Sequence, residues 1–152
     1  MGMVSASEAM RIATAALSSG AADDPLARDR GHLLQAIRIA APNGEPAGWF
    51  VPVGFEGALL GFVQLGPDGL FRRYASFHGR SESIARCPRA SDWVDPEVIT
   101  ERARPLSAPG SELSAPVLSY DKHPDRLAWM IQETSHGASS PIFVAGTEAW
   151  RG

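Results

Sequence analysis

The spacing of apolar and polar positions divides the chain into two stretches that each begin with a helix and continue with strands. Ser5-Ala6-Ser7-Glu8 forms a capping-box pattern, in which Ser5 and Glu8 satisfy free N–H groups of a first helical turn. Ala6, Ala9, Met10, Ala13, Ala16 and Leu17 then recur at helical spacing, and Gly20 supplies a stop. Residues 20–31 (GAADDPLARDRG) are polar and are taken as a connector, with Asp24-Pro25 as a competing start for a short helix.

From about residue 33 to 77 the period changes to two. Ile37 and Ile39 alternate with smaller or polar groups, and Asn43-Gly44 marks a hairpin turn. Trp49, Val51, Val53 and Phe55 form the next alternating run. Glu56-Gly57 and Gly66-Pro67-Asp68-Gly69 turn the chain into Ala58–Leu65 and Leu70–Phe77. Connections this short join antiparallel neighbours. The expectation is a meander of about four strands after one helix, with Pro52 at an edge or a bulge. Residues 79–94 are polar and form the expected boundary between a first part, 1–78, and a second, 95–152, within one unit.

The second part repeats the order. Asp95-Pro96-Glu97 is an N-cap, a proline at the first helical position and an acid near the dipole's positive end. Val98, Ile99, Ala103 and Leu106 give that helix an apolar side. Strands are expected at Val117–Tyr120, Leu127–Gln132 and Ile142–Ala145, with loops at 107–114 and 136–140 and a short tail at the end. Trp49-Phe50-Val51 corresponds to Trp129-Met130-Ile131. Phe62-Val63 and Phe143-Val144 follow at similar distances, then Phe71-Arg72 and Trp150-Arg151. This order suggests an internal duplication.

Residues 116–121 (PVLSYD) and 126–131 (RLAWMI), followed by 141–144 (PIFV), resemble PepSY-like domains, including those in propeptides of thermolysin-type peptidases. The resemblance covers roughly residues 95–150 and, more loosely, 5–77. It implies an α+β, cystatin-like fold in which an antiparallel meander wraps a helix, here with one helix preceding each half. It also implies a non-catalytic role: inhibiting or escorting a peptidase, or regulating activity near the cell envelope. The family has no catalytic residues to carry over.

Composition narrows the classes. Thirteen arginines and one lysine face 17 acids, a net charge of −3, so a concentrated basic face for nucleic acid is not expected. No run reaches the ~18 apolar residues of a membrane span. Cys87 is the single cysteine, which excludes an intramolecular disulfide and a zinc site built on several cysteines. The N-terminus shows no basic region followed by an apolar stretch, so the chain as written is expected in the cytoplasm; with a leader removed it would be periplasmic or secreted.

Candidate chemistry is sparse. His78, Cys87 and Asp92 share one polar region and invite a Cys-His nucleophile, but no spacing brings base and thiol together. Asp121, His123 and Asp125 alternate in one turn and could offer metal ligands; a solvated turn shaped by Pro124 is the simpler expectation. Gly79-Arg80-Ser81-Glu82-Ser83 begins like a nucleophile elbow but has serine where the second glycine belongs. No catalytic residue, metal ligand or cofactor is therefore assigned. Trp49 and Trp129 are expected in the core, Trp93 as a staple on the second helix, and Trp150 near the surface.

Large groups on both faces of the Trp49-Phe50 strand call for a second layer or a partner. The leading expectation is a non-enzymatic protein-binding or regulatory module, using Trp49, Phe50, Tyr74, Trp129 and Trp150. Its partner would be a protein, a peptidase by the resemblance, or a second copy of the chain. The rival is a small-ligand protein or enzyme in which His78, Arg72, Tyr74 and Asp121 converge in a pocket between helix and curved sheet.

Overall fold

Helix α1, Ala6–Ser19, starts where the Ser5 hydroxyl accepts the Glu8 N–H at 3.1 Å and ends at Gly20, whose φ of 86° is left-handed. Only half of the expected capping box forms, because the Glu8 carboxylate turns to the Arg11 guanidinium in the next turn. Ala9, Ala13 and Ala16 form the buried stripe. A face without long side chains lets the helix settle closely on a sheet, against Val51, Val63 and Leu65.

The computed structural model describes residues 3–78 and 84–152, which fall into two compact units. The first comprises Met1–Ile39 and Pro46–Ala90, the second Ala40–Glu45 and Ser91–Gly152. Both are helices with an antiparallel sheet, so the chain is α+β. No helix among the described residues is long and apolar enough to cross a membrane.

In the first unit, α1 is followed by α2, Pro25–Arg30, and by β1 (His32–Leu33), β2 (Ile37–Ala40), β3 (Pro46–Phe55), β4 (Ala58–Leu65) and β5 (Phe71–Ser76). The connector expected at 20–31 thus contains a helix, started by the Asp24 cap with Pro25 at its first position. The sheet order is β1-β3-β4-β5, and β2 also pairs with β3. The expected meander is present as β2 to β5, with two-residue β1 added beside β3. Pro52 lies inside β3 just before a register shift at Val53/Gly54, so its missing N–H falls next to a bulge.

The second unit holds α3 (Ser91–Val94), α4 (Pro96–Ala103), β6 (Glu112–Leu113), β7 (Val117–Tyr120), β8 (Leu127–Ser135), β9 (Ala138–Ala145) and β10 (Glu148–Arg151). Asp95 caps α4 through the Glu97 N–H at 3.0 Å, with Pro96 at the first position as the sequence predicts. α4 packs on β8, β9 and β10, burying Ile99 and Ala103. Truncating such a buried isoleucine to alanine costs about 2–5 kcal/mol.

Five strands stand where three were expected. The loop at 107–114 contains β6, the loop at 136–140 gives way to β9 from Ala138, and the tail is β10. The polar stretch 79–94 also holds a 3-10 turn at Ile84–Arg86 and all of α3; Gly79–Ser83, with the elbow-like motif, lies outside the described residues.

The second sheet runs β10-β9-β8-β6, with β7 also on β8. In both sheets two short strands therefore share one long partner, and a meander follows. Leu33 lies opposite Val53, four residues past Trp49, and Leu113 opposite Glu133, four residues past Trp129. The Phe-Val pairs do not occupy matching positions. Trp49 faces Leu65 and Trp129 faces Val144, so Val144 stands where Leu65 does and Phe62-Val63 lies two residues earlier. The last strands shift likewise: Trp150 faces Phe143 as Arg73 faces Gln64, so Trp150-Arg151 matches Arg73-Tyr74 rather than Phe71-Arg72.

Candidate functional site

In the first unit a buried carboxylate gathers three elements. Asp24 Oδ1 caps α2 by accepting the Ala27 N–H at 3.0 Å, while Oδ2 accepts the Tyr74 hydroxyl from β5 and lies 2.8 Å from His78 Nε2. Asp24 and His78 are each 7% exposed. Gly61 in β4 makes the meeting possible, because a Cβ there would run into the Tyr74 hydroxyl. Burial alone would raise the Asp24 carboxyl; donation from Tyr74, the Ala27 backbone and His78 outweighs it and holds the group below the ordinary carboxylate range. Burial and the Asp24 charge push the Tyr74 phenol far above its usual value.

Cys87 packs near this cluster, and burial and the charge on Asp24 both raise its thiol. A nucleophilic cysteine needs the opposite shift. Asp92, grouped with His78 and Cys87 in the sequence, instead pairs with Arg102 at 2.9 Å in the second unit. The aspartate that reaches His78 is Asp24.

A second buried carboxylate, Glu133 on β8, accepts from the Ala108 N–H, from Ser111 Oγ at 2.9 Å and from Arg151 Nη1 at 2.8 Å. The hydrogen bond from Arg151, then that from Ala108, lowers its pKa. Arg151 also donates to the Leu106 carbonyl. This network fastens β10 to β8 and to the turn after α4.

Beside it, an open cleft of about 620 Å³ is lined by Asp121, Lys122 and Arg126 from the β7–β8 turn and by all of residues 148–152. β10 is the end strand of its sheet, and all four of its residues line the cleft together with Gly152. Trp150 stands in this wall. Its ring stacks on Phe143 with centroids 5.9 Å apart, and its Nε1–H donates to Asp121 Oδ2 at 3.0 Å. Arg126 Nη2 lies 3.8 Å from the same oxygen. Lys122 has a left-handed backbone, φ 70°, and an exposed side chain.

The other aromatic candidates face inward. Trp49 is half-buried against the α1 face and donates from Nε1 to the Val4 carbonyl at 3.1 Å. Phe50 is fully buried, its ring tilted by 35° against that of Phe62 with centroids 4.7 Å apart. Trp129 is nearly buried and donates to the Trp93 carbonyl at 2.9 Å. Trp93, expected as a staple on the second helix, is buried within α3, and the acceptor is its main-chain carbonyl.

Of the four groups of the rival pocket, Tyr74 and His78 meet on Asp24, Arg72 lies on β5 with an exposed side chain, and Asp121 belongs to the second unit. Asp121, His123 and Asp125 do not surround a common point: Asp121 turns to Trp150, and His123 Nδ1 accepts the Asp125 N–H at 3.1 Å. No trio of metal-ligating side chains is assembled among the described residues.

Sequence reasoning missed Asp24 and Glu133 as network centres, and Lys122 and Arg126 as cleft residues. The Asp24-Pro25 cap was the one available signal. Glu133 occupies an inward position of a strand where an apolar residue would be expected, and its partners lie 18 to 25 residues away. Compared with protein-family models, curated proteins and solved structures, the chain matches none of them.

Proposed function

We propose that the chain is a non-enzymatic protein-binding module of the peptidase-inhibitor kind, built from two PepSY-like, cystatin-like halves of common origin. The observation that carries the binding role is the open Trp150 cleft, walled by the end strand β10 and the β7–β8 turn. An unpaired strand edge offers a row of main-chain donors and acceptors to an extended segment. A partly exposed indole beside it, rimmed by cations, is a typical anchor for such a segment.

Three further features support this assignment. The Asp24 cluster has both carboxylate oxygens engaged, and Cys87 is tuned away from nucleophilicity. Two short strands on one long strand, placed alike relative to Trp49 and Trp129, support the duplication. Helix-on-meander units support the cystatin-like comparison.

The test is stoichiometric titration of a thermolysin-type peptidase with the chain, following turnover of a small fluorogenic substrate. Turnover is expected to fall to a plateau near equivalence, and Trp150→Ala to weaken the effect by ten-fold or more. Undiminished turnover, with no complex in sedimentation velocity, contradicts the inhibitor role.

A further inference from the structure

β10 is a four-residue strand at the end of its sheet, bonded along one edge to β9. A strand so short, at the end of a sheet, opens locally unless side chains hold it. Successive residues of a strand point to opposite faces, so Trp150 and Arg151 leave β10 on different sides. Each meets a carboxylate. On one side the indole N–H donates to Asp121 Oδ2. On the other, Arg151 donates to Glu133 Oε1 at 2.8 Å and to the Leu106 carbonyl.

Glu133 divides its two oxygens. Oε1 takes Arg151, while Oε2 takes the Ala108 N–H and the Ser111 hydroxyl from the turn after α4. The Glu133 side chain is 5% exposed, and neither it nor Ala108 nor Ser111 lines the cleft. One buried carboxylate therefore ties the cleft wall to a turn outside the cleft.

Resting on the binding role above, we propose that Glu133 is the positioning residue of the Trp150 cleft and couples that cleft to the turn at 106–111. With the tie closed, β10 holds Trp150 in place before a partner arrives, so binding does not bear the cost of ordering the wall. The coupling is reciprocal: a partner in the cleft stabilises the turn by the same factor by which an ordered turn strengthens binding. Glutamine at 133 keeps the volume but replaces one acceptor oxygen with a donor amide. It can serve Arg151 or the Ala108 N–H but not both, so the tie is cut while the shape of the core stays.

The test is amide hydrogen exchange read by NMR on the full chain, wild type against Glu133→Gln. Amides of β10 are expected to exchange at least ten-fold faster in the variant, those bonded between β8 and β9 to stay within two-fold, and the Trp150 indole N–H resonance to move. Inhibition of a thermolysin-type peptidase should weaken by ten-fold or more. Added peptidase should slow exchange at the Ala108 amide of the wild type and leave it unchanged in the variant, an effect that a merely stabilising residue would not produce. Should Glu133→Gln not fold, Arg151→Met cuts the tie from its half-exposed end and carries the same expectations for exchange.

Unchanged exchange in β10 overturns the proposal. Equal acceleration through β8, β9 and β10 makes Glu133 a general stabiliser and overturns it as well. An opened β10 with undiminished inhibition overturns the positioning role and leaves the binding role standing. A wild-type chain that does not inhibit overturns the binding role and, with it, this use of the tie.

Discussion

Replacing Asp24 with alanine removes three acceptor contacts at once, so its cost can be built up from the structure. The helix cap to the Ala27 N–H contributes about 1 kcal/mol. The Tyr74 hydroxyl and His78 Nε2 donate to an ionised group, and such bonds contribute about 1.5–3 kcal/mol each. Because all three share one carboxylate, they add less than fully, and a loss of about 3–5 kcal/mol is expected at pH 7. Tyr74→Phe removes one of them and should cost about 1.5–2 kcal/mol, with the partly exposed phenol keeping the value at the low end. Urea unfolding read by circular dichroism measures both, and a cycle with the double variant gives the coupling.

The pH dependence follows from the direction of the Asp24 shift. A carboxyl lowered in the folded state contributes stability that is present above its unfolded value of about 3.9. That contribution is lost as pH falls through the lower, folded value. The contribution of the Asp24 carboxylate to the gap between wild type and Asp24→Ala should therefore shrink as pH falls below about 4. A loss under about 1 kcal/mol at pH 7, or a gap that fails to shrink below about pH 4, would refute the assignment of Asp24 as the clamp.

Three further outcomes follow. Gly61→Ala should destabilise by about 1–3 kcal/mol in thermal melts, because its Cβ would meet both the Tyr74 side chain and the Ala75 main-chain carbonyl; Tyr74→Phe, which leaves the ring and that carbonyl in place, should not restore the loss. Cys87 should alkylate slowly at neutral pH with a midpoint above the ordinary thiol value, and Asp24→Asn should move the midpoint down by removing the facing charge. Trp150→Phe should cost about 1 kcal/mol through the lost bond to Asp121 while keeping the stack on Phe143; an unchanged urea midpoint would show that bond to be idle.

Much of the fold was legible because local chemistry and periodicity agreed. The alanine stripe of α1, the Asp95-Pro96 start of α4 and the alternation in β3 each announce their element. β1, β6 and β10 are too short to show a period, and β9 begins with Ala138-Ser139-Ser140, whose exposed side chains carry no apolar signal. The Phe-Val correspondence failed for a different reason: register depends on turn lengths and bulges, which a linear comparison cannot see. Of the site, Trp150 was visible as an aromatic near an arginine. The Asp24–Tyr74 and Glu133–Arg151 clamps join residues far apart in the chain, and nothing in either local sequence requires the partner.

The binding role stands or falls on where a ligand perturbs the backbone. Amide chemical shifts recorded while an unlabelled thermolysin-type peptidase is added would locate it directly. Saturable shifts concentrated at Glu148, Ala149, Trp150 and Arg151, with smaller ones at Lys122 and Arg126, are the predicted result. Shifts centred instead on Asp24, Tyr74 and His78 would contradict the account and point to a ligand site at the buried carboxylate.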